Sequence, residues 1–189
     1  MRCFIAIDLP EELKRQIEDV ITQLSPLSKG IKWVPSGNIH LTLKFLGEIK
    51  EDMLPDIRQR LDIICRICPP FALSLRGSGA FPDQKNPNVL WIGVDRSEEL
   101  KNLYNDIDNS MSEIGFEKES RKHSPHLTIG RVKNKKDVLQ AIKGLSGFSG
   151  NLFGKIEVAE IHLMKSVLMP TGAEYSKICS FRLNGDKKA

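Results

Sequence analysis

HLTLKFLGE, at residues 40–48, and HLTIGRV, at residues 126–132, are two copies of one short motif that begins His-Leu-Thr. Each copy is followed by a helix start of the same pattern, Asp-x-Leu-x-x-Ile. Asp52 lies 12 residues after His40, and Asp137 lies 11 residues after His126. Two copies are too few for a repeat array, so the repetition predicts two related lobes around a pseudo-twofold axis.

Hydrophobic periodicity extends this pattern over the whole chain. Apolar residues at helical spacing predict helices at 11–24, 51–67, 97–114 and 136–143. Alternating or short apolar runs predict strands at 2–8, 31–34, 39–46, 71–76, 89–94, 126–132, 155–165 and 175–183. With 189 residues, the chain is long enough for one two-lobed domain over residues 1–189 and short for two independent ones.

Composition limits the class of protein. A chain with 40% hydrophobic and 28% charged residues is too apolar to be disordered. The net charge of +4 permits a polyanionic partner without requiring one. The N-terminus is apolar for only a few residues before Asp8, and no run approaches the roughly 20 apolar residues of a membrane span. We therefore expect a cytoplasmic protein without a membrane partner.

The cysteines favour structure over chemistry. Cys65 and Cys68 form the one CxxC pair, at the apolar end of a helix that Pro69 stops. No second pair or nearby histidine completes a zinc set, and a thioredoxin-like context is absent. We expect reduced, buried thiols, with a redox pair as the alternative.

The repeated motif points to acid–base chemistry. Side chains alternate between the two faces of a strand, so His40 and Thr42 share one face while Leu41 takes the other. His126 and Thr128 share a face in the same way. A pseudo-twofold axis would bring both imidazoles to one cleft, where one can act as a general acid and the other as a general base.

Such a pair suits the cleavage of a phosphate ester. In-line displacement needs a base near the attacking oxygen and an acid near the leaving oxygen. The hydroxyls of Thr42 and Thr128 can donate to the other phosphate oxygens. Arg131 would reach the phosphate only across a strand end or a bulge, because alternation places it on the opposite face.

A zinc site is the competing interpretation. A catalytic zinc ion normally has three protein ligands, and neither motif has a carboxylate two residues away. His162 lies in an otherwise apolar predicted strand. We therefore expect no metal.

The segments HLTLKFLGE and SPHLTIGR, residues 40–48 and 124–131, resemble the two-histidine phosphoesterase superfamily. Within it, the chain is most similar to the RNA 2′,3′-cyclic phosphodiesterases, also called the 2′-5′ RNA ligase family. The resemblance covers nearly the whole chain and includes RCFIAIDLP at the start, VLWIGV at 89–94 and the tail from 163 to 175. It implies an α+β fold of two pseudo-symmetric lobes of antiparallel β-sheet, with outer helices and the active-site cleft between them.

The resemblance also implies roles for residues. His40 would be the proton donor and His126 the proton acceptor, and Thr42, Thr128 and Arg131 would contact the phosphate. The implied reaction is metal-independent hydrolysis of a terminal 2′,3′-cyclic phosphate to a 2′-phosphomonoester, with reversible 2′-5′ RNA ligation if a 5′-hydroxyl replaces water. No cofactor is implied. The partner would be RNA with a 2′,3′-cyclic phosphate end, tRNA fragments being one candidate, and we expect a monomer.

Other residues near the motifs carry weaker expectations. The basic residues near the motif strands are expected to be ordinary solvated charges, with RNA contact as the alternative: Lys44, Arg76, Arg121, Lys122 and Lys133. Core packing is favoured over base stacking for three aromatic residues, Phe45, Phe81 and Trp91. His123 departs from the family pattern, in which an apolar or aromatic residue is commoner there; it is expected at the surface, with a substrate contact as the alternative. Resemblance alone suggests Lys165 and Ser166 as cleft residues.

Two other functions stay open. One is an RNA-end binding module without turnover, although both histidines and both threonines are present. The other is a phosphodiesterase for 2′-5′ oligoadenylate or small cyclic nucleotides. The identity of the reaction product would separate the three.

Overall fold

Strands and helices follow one another along the chain in the computed structural model, which describes residues 1–120, 123–170 and 172–186. The strands are β1 (Arg2–Asp8), β2 (Ile31–Trp33), β3 (His40–Glu48), β4 (Phe71–Phe81), β5 (Val89–Val94), β6 (His126–Val132), β7 (Leu152–Val158), β8 (Glu160–Met169) and β9 (Gly172–Arg182). The α-helices are α1 (Glu11–Leu24), α2 (Leu54–Ile67), α3 (Glu98–Ser112) and α4 (Leu139–Ser146).

The strands form one sheet that divides into two halves at its centre. Its order is β7-β4-β5-β6-β3-β1-β8-β9, β2 adds to β6, and neighbouring strands are antiparallel. At the centre, β3 and β6 pair only through Leu41 and Leu127. We call β3, β1, β8 and β9 the first lobe, and β6, β5, β4, β7 and β2 the second lobe. The predicted α+β fold of two antiparallel lobes is confirmed.

Each lobe contains strands from both halves of the chain. β4 follows α2 in sequence, yet it pairs with β5 in the second lobe. β8 belongs to the second half of the chain, yet it pairs with β1 in the first lobe. Neither lobe is therefore built from one continuous stretch of sequence.

The core lies between the helices and one face of the sheet. Leu41 and Leu127 are fully buried there, together with the apolar stripe of α1 that includes Ile17. Burying such stripes stabilises a sheet–helix layer by roughly 25 cal/mol per Å² of apolar surface. The opposite face of the sheet carries the half-buried polar residues of the motifs.

Most predicted elements are present, but one predicted strand is wrong. The segment 155–165 contains the end of β7 and the start of β8, which part at Ala159. β7 pairs with β4 in the second lobe and β8 pairs with β1 in the first, so the chain crosses between lobes there. The spacing of apolar residues indicates which residues are buried, but it does not indicate which strands pair. The sequence therefore could not show that the chain crosses between lobes here.

β4 is also longer than predicted, and it extends to Phe81. The glycines in it suggested an end at residue 76, because glycine weakens a strand. In the structure Gly77 has φ 71° at a register shift in the β4–β5 ladder, after which pairing resumes at Ser78. The glycine therefore marks a bulge and not an end.

Candidate active site

The two motif strands meet at the seam between the lobes. Leu41 of β3 pairs with Leu127 of β6, and both leucine side chains are fully buried in the core. Since neighbouring side chains in a strand point to opposite faces, the residues on either side of each leucine point away from the core. The face opposite the core therefore carries four motif side chains, His40, Thr42, His126 and Thr128.

The antiparallel register sets the order of these four side chains. His40 lies beside Thr128 and Thr42 lies beside His126, because the residue before one leucine faces the residue after the other. The histidines are thus diagonal neighbours, and diagonal neighbours in a regular sheet are about 7–8 Å apart. Side chains at this separation can contact opposite sides of one phosphorus atom.

Both imidazoles are held in the same way. His40 Nδ1 donates to the carbonyl oxygen of Asn38 at 2.8 Å, and His126 Nδ1 donates to that of Ser124 at 2.7 Å. A carbonyl oxygen can only accept, so the proton of the neutral ring is on Nδ1 in each case. Each Nε2 is left to accept or donate a proton at the substrate.

Aromatic rings enclose His40 in the first lobe. Its imidazole stacks on Phe4, with ring centroids 4.7 Å apart, and meets the edge of Tyr175 at 5.3 Å. Burial lowers the pKa of His40 from its ordinary value, although the hydrogen bond to Asn38 and the charge of Asp8 oppose this shift. In the free protein this ring therefore tends toward the neutral form.

Asp8 is a residue of this site that the sequence analysis did not single out. It lies opposite His40 in the β1–β3 ladder, 2.9 Å from Lys14 Nζ and 3.0 Å from Lys177 Nζ. Burial by itself raises the pKa of this carboxyl group, but hydrogen bonds from both lysines outweigh it and the pKa lies below its ordinary value. In a sequence, an aspartate at the end of a strand indicates a turn. Its position beside His40 becomes apparent only when β1 is known to pair with β3.

The surroundings of His126 are more open. The imidazole meets the ring of Phe81 at a centroid distance of 4.9 Å, with the planes at 80°. It borders a cavity of about 400 Å³, which also has Arg76, Trp91, Arg96 and His123 in its wall. The cavity beside His40 is smaller, about 140 Å³, and has in its wall Asp8, His162, Tyr175 and Lys177.

A bulge places Arg131 on the same face as the two motif histidines. The β5–β6 ladder pairs Trp91 with Thr128 and Leu90 with Gly130, so Ile129 is skipped. An extra residue in a strand shifts the alternation by one position. Arg131 therefore shares the face of Thr128, and its side chain is exposed.

The first lobe has a bulge at the same place in its motif, and it corrects two expectations. The β1–β3 ladder skips Leu43, so Lys44 turns inward and Phe45 turns outward. Lys44 is buried and its Nζ lies 2.5 Å from Asp108 and 2.9 Å from the carbonyl oxygen of Glu117, so it is neither a solvated charge nor an RNA contact. Phe45 is 64% exposed, so core packing was wrong for this ring.

His123 does not behave as the surface residue that was expected. Its ring stacks on Tyr104 at a centroid distance of 3.7 Å, and burial lowers its pKa to about 4, with a smaller contribution from His126. Its Nε2 is buried and has no hydrogen-bond partner within the described part of the chain. The imidazole forms part of the wall of the larger cavity.

The remaining expected residues lie in several places. Phe81 and Trp91 border the larger cavity instead of the core, and Lys133 is exposed. Ser166 pairs with Arg2 and Tyr175, on the face of Phe4, whereas Lys165 pairs with Cys3. Arg121 and Lys122 lie outside the described residues.

The cysteines are free thiols. Cys3 and Cys65 are buried, and burial raises the pKa of Cys65 to about 12. Cys68 is half-buried, and its thiol pKa is raised as well. Within residues 1–120, 123–170 and 172–186, no group of three or more His, Cys, Asp or Glu side chains is placed to hold a metal ion. No helix in those ranges is long and apolar enough to cross a membrane.

Comparisons with known proteins show which family this chain is similar to. The family model described as LigT like Phosphoesterase matches the chain twice, over residues 7–91 and 92–175. The RNA 2′,3′-cyclic phosphodiesterase of Archaeoglobus fulgidus is 36% identical, with 96% of this chain and 99% of that protein covered. The protein of the same name from Methanocaldococcus jannaschii is 40% identical, with 94% and 98% covered.

Solved structures show the same fold. A Thermus thermophilus crystal structure superposes with a TM-score of 0.86 at 30% identity, and covers 99% of this chain and 100% of that one. E. coli LigT in complex with 3′-AMP superposes with a TM-score of 0.75 at 25% identity, with 96% and 97% covered. This chain belongs to the LigT-like phosphoesterase family.

Proposed function

We propose that this protein hydrolyses RNA 2′,3′-cyclic phosphate ends to 2′-phosphomonoesters, with His40 as the proton donor and His126 as the proton acceptor. One observation carries the proposal: the two histidines share a face at the seam, and each has Nδ1 bonded to a carbonyl oxygen and Nε2 left for the substrate. Relatives of similar length are named for this activity.

The chemistry follows from this arrangement. A water molecule attacks phosphorus and gives its proton to His126 Nε2. On the opposite side the bond from phosphorus to the 3′ oxygen breaks, and that oxygen takes a proton from His40 Nε2. The phosphate remains on the 2′ oxygen, and solvent restores the protonation state of both rings. In-line geometry needs the acid and the base on opposite sides of phosphorus, which the diagonal placement supplies.

Three further side chains would hold the phosphate during this step. The hydroxyls of Thr42 and Thr128 lie between the histidines on the same face, and Arg131 shares that face beyond the bulge. Donors aimed at the non-bridging oxygens stabilise the charge that builds up in the transition state. Together with two imidazoles they supply the acid, the base and the electrostatic stabilisation, so we propose that no metal or cofactor takes part.

The lowered pKa of His40 is compatible with its role as a donor. Burial favours the neutral ring in the free protein, whereas a phosphate anion placed beside the ring favours the charged one. Asp8, held ionised by two lysines, acts in the same direction as the phosphate. Substrate binding therefore raises the pKa of His40 and loads the proton that the leaving oxygen needs.

We also propose that residues 1–189 act as one two-lobed domain, a cytoplasmic monomer. Support for a single domain comes from the exchange of β4 and β8 between the lobes, which leaves neither lobe complete by itself. The RNA ends it acts on would include those of tRNA fragments.

The decisive experiment is incubation with a short RNA that ends in a 2′,3′-cyclic phosphate, followed by ³¹P NMR of the product. A 2′-phosphomonoester is the expected product. A 3′-phosphomonoester would contradict the assignment of donor and acceptor. Binding without turnover would identify an RNA-end binding module, and cleavage of 2′-5′ oligoadenylate alone would identify a different phosphodiesterase.

The same assay tests metal independence. Activity should survive dialysis against EDTA, because proton transfer between two imidazoles needs no Lewis acid. If chelation abolished turnover and added zinc restored it, the metal-independent mechanism would be wrong.

A further inference from the structure

Two cations lie side by side at one end of the seam. Lys32 of β2 is paired directly with Arg131 of β6, and both side chains are exposed. Residues paired across two strands point to the same face of the sheet, so Lys32 lies with Arg131 on the face of the motif histidines. Neighbouring strands are about 4.7–4.9 Å apart. Like charges directly opposite each other destabilise a sheet, so this pair is unfavourable until an anion binds to it.

No carboxylate compensates these two charges. Neither Lys32 nor Arg131 takes part in an ion pair within residues 1–120, 123–170 and 172–186. Lys177, a lysine of the first lobe near the same site, instead contacts Asp8 at 3.0 Å. The two cations of the second lobe are therefore available to an anionic ligand.

The short strand β2 is anchored in a way that fixes the position of Lys32. The residues on either side of it, Ile31 and Trp33, point to the opposite face and pack over Gly130 of β6, where an added Cβ would lie 2.9 Å from Ile31 and 3.2 Å from the indole. Lys32 Nζ extends toward the first lobe, 3.7 Å from the place that a Cβ would take on Gly172 of β9. The ammonium group therefore lies where the two lobes meet.

The order of side chains along the seam shows which histidine these cations are near. His40 lies beside Thr128, and Arg131 follows Thr128 along β6, whereas His126 lies at the other end. Burial is the main cause of the lowered pKa of His40, and the charge of Arg131 contributes to it. The cations therefore lie beyond the end of the seam that His40 occupies.

This end of the seam corresponds to one part of an RNA substrate. In the proposed reaction the leaving 3′ oxygen takes a proton from His40, so the terminal ribose lies at this end. The same ribose carries, at its 5′ oxygen, the phosphate that joins it to the rest of the RNA. A lysine ammonium group binds such a phosphate as a point charge.

We propose that Lys32 binds the phosphate on the 5′ side of the terminal nucleotide, so that the protein prefers an RNA end to a free cyclic nucleotide. The inference rests on the proposed function, because that function places the leaving oxygen beside His40. Arg131 contacts the cyclic phosphate, and Lys32 contacts the next phosphate along the chain. Lys133 is exposed beyond them, and its backbone N–H donates to the carbonyl oxygen of Gly30 at 2.7 Å, so it continues the positive surface along β2.

The first test isolates the 5′-phosphate. The substrates are adenosine 2′,3′-cyclic phosphate with a 5′-hydroxyl and the same nucleotide with a 5′-phosphate, which stands in for the RNA chain. Lys32→Ala should lower kcat/KM for the 5′-phosphorylated substrate by about tenfold, the effect of losing a hydrogen bond to a charged group. It should leave kcat/KM for the 5′-hydroxyl substrate unchanged. Lys32→Arg keeps the charge and should keep the preference.

Lys155→Ala is the matched control. Lys155 is also an exposed lysine of a strand in the second lobe and is in no ion pair of the described residues, but it lies on the edge strand β7 opposite Ser74. Its removal changes the net charge by the same amount as Lys32→Ala. Both rates should therefore stay at the values of the wild type.

A binding measurement keeps this inference separate from the proposed function. A short RNA with a 2′-phosphate end and a fluorophore at its 5′ end is titrated with protein, and fluorescence anisotropy gives Kd at several salt concentrations. Lys32→Ala should weaken binding and should reduce the slope of log Kd against log salt concentration by about 0.7, the value for one phosphate contact of a single strand. If the protein bound RNA through Lys32 without hydrolysing it, the proposed function would fail and this site would be supported.

Three results would overturn the assignment of Lys32. One is an unchanged preference for the 5′-phosphorylated substrate in Lys32→Ala. Another is an equal loss of kcat/KM for both nucleotides, which would mean that Lys32 acts on the cyclic phosphate or on the structure of the seam. The third is an equally large effect of Lys155→Ala, which would assign the loss to net charge.

Discussion

The two lobes have the same backbone around their histidines but different surroundings. In both, a histidine begins the strand at the seam, β3 or β6, and its Nδ1 donates to the carbonyl oxygen two residues earlier. In both, the fourth motif residue has no partner in the ladder with the next strand, which is β1 for β3 and β5 for β6. In the first lobe Phe4 and Tyr175 enclose the ring. In the second lobe the ring meets Phe81 and opens to the larger cavity.

This difference teaches how a repeated motif can support two distinct roles. Duplication of the strand supplies matched positions for the proposed acid and the proposed base, whereas the neighbouring strands give each ring different surroundings. Counted from its histidine, Phe45 of the first motif corresponds to Arg131 of the second, and Lys44 corresponds to Gly130. The symmetric part sets the geometry, and the unmatched residues set charge and access.

The strongest way to break the comparison is to remove either histidine. His40→Ala and His126→Ala should each slow hydrolysis of a 2′,3′-cyclic nucleotide by about 10²–10⁴-fold, roughly 3–5 kcal/mol of barrier. Both rings are half-buried on the face opposite the core, so the fold should persist, as circular dichroism can verify. A normal rate in either variant would show that the two lobes do not share the reaction.

The next largest expected effect is on stability, at Lys44, whose counterpart in the second motif is Gly130. Lys44→Met should lower the free energy of unfolding by about 3 kcal/mol, since it leaves Asp108 buried without its partner. It also removes the hydrogen bond to Glu117, on the segment that leads toward the second motif. Urea unfolding measures the loss.

Two controls separate this charge effect from general damage. Lys101→Met breaks an exposed pair and should cost no more than about 1 kcal/mol. Lys44→Met/Asp108→Leu removes both buried charges and should recover much of the stability. If the double variant were less stable than Lys44→Met, the unpaired carboxylate would not be the cause.

The sequence predicted the parts of this molecule that repeat or alternate. α1 was predicted with its observed bounds from apolar spacing, and the strands carrying the motifs followed from the repeated tetrapeptide. The repeat also predicted His40 and His126 as the central residues of the site. Periodicity and repetition are local patterns, so they can be recognised in a sequence without knowing which strands pair.

Long-range pairing accounts for what could not be predicted. Phe4 and Tyr175 reach His40 from β1 and β9, and nothing in their local sequence points to a histidine far along the chain. Lys44 and Phe45 were misjudged because the skipped Leu43 reverses their faces, and a bulge becomes visible only when the partner strand is known. Asp8 was not predicted as a site residue because its pairing with His40 is also a long-range contact.

The enclosure of His40 can be tested by opening it. Tyr175→Ala readmits water beside the ring, so the lowered pKa of His40 should rise toward its ordinary value. The limb of the profile of kcat/KM against pH that reports His40 should then move to higher pH, whereas Tyr175→Phe, which keeps the ring, should leave it in place. A limb that moved equally in both variants would assign the effect to the hydroxyl.

The smallest expected effect lies in the second lobe, at His123. Its pKa in the folded protein is about 4 against an ordinary value of 6.5, so between these pH values the unfolded chain binds a proton that the folded protein does not. The contribution of the neutral His123 ring to the free energy of unfolding is fully present above pH 6.5 and is lost as the pH falls toward about 4. His40 and His162, whose pKa values are also lowered, act in the same direction.

His123→Phe should therefore make the free energy of unfolding less dependent on pH in this window without changing the sign of the slope. Phenylalanine can keep the stack on Tyr104, so the stability near neutral pH should stay close to that of the wild type. Urea titrations at a series of pH values give the slope for both proteins. Equal slopes would mean that His123 is not held neutral in this pH window. Its protonated ring would then add a positive charge to the wall of the larger cavity.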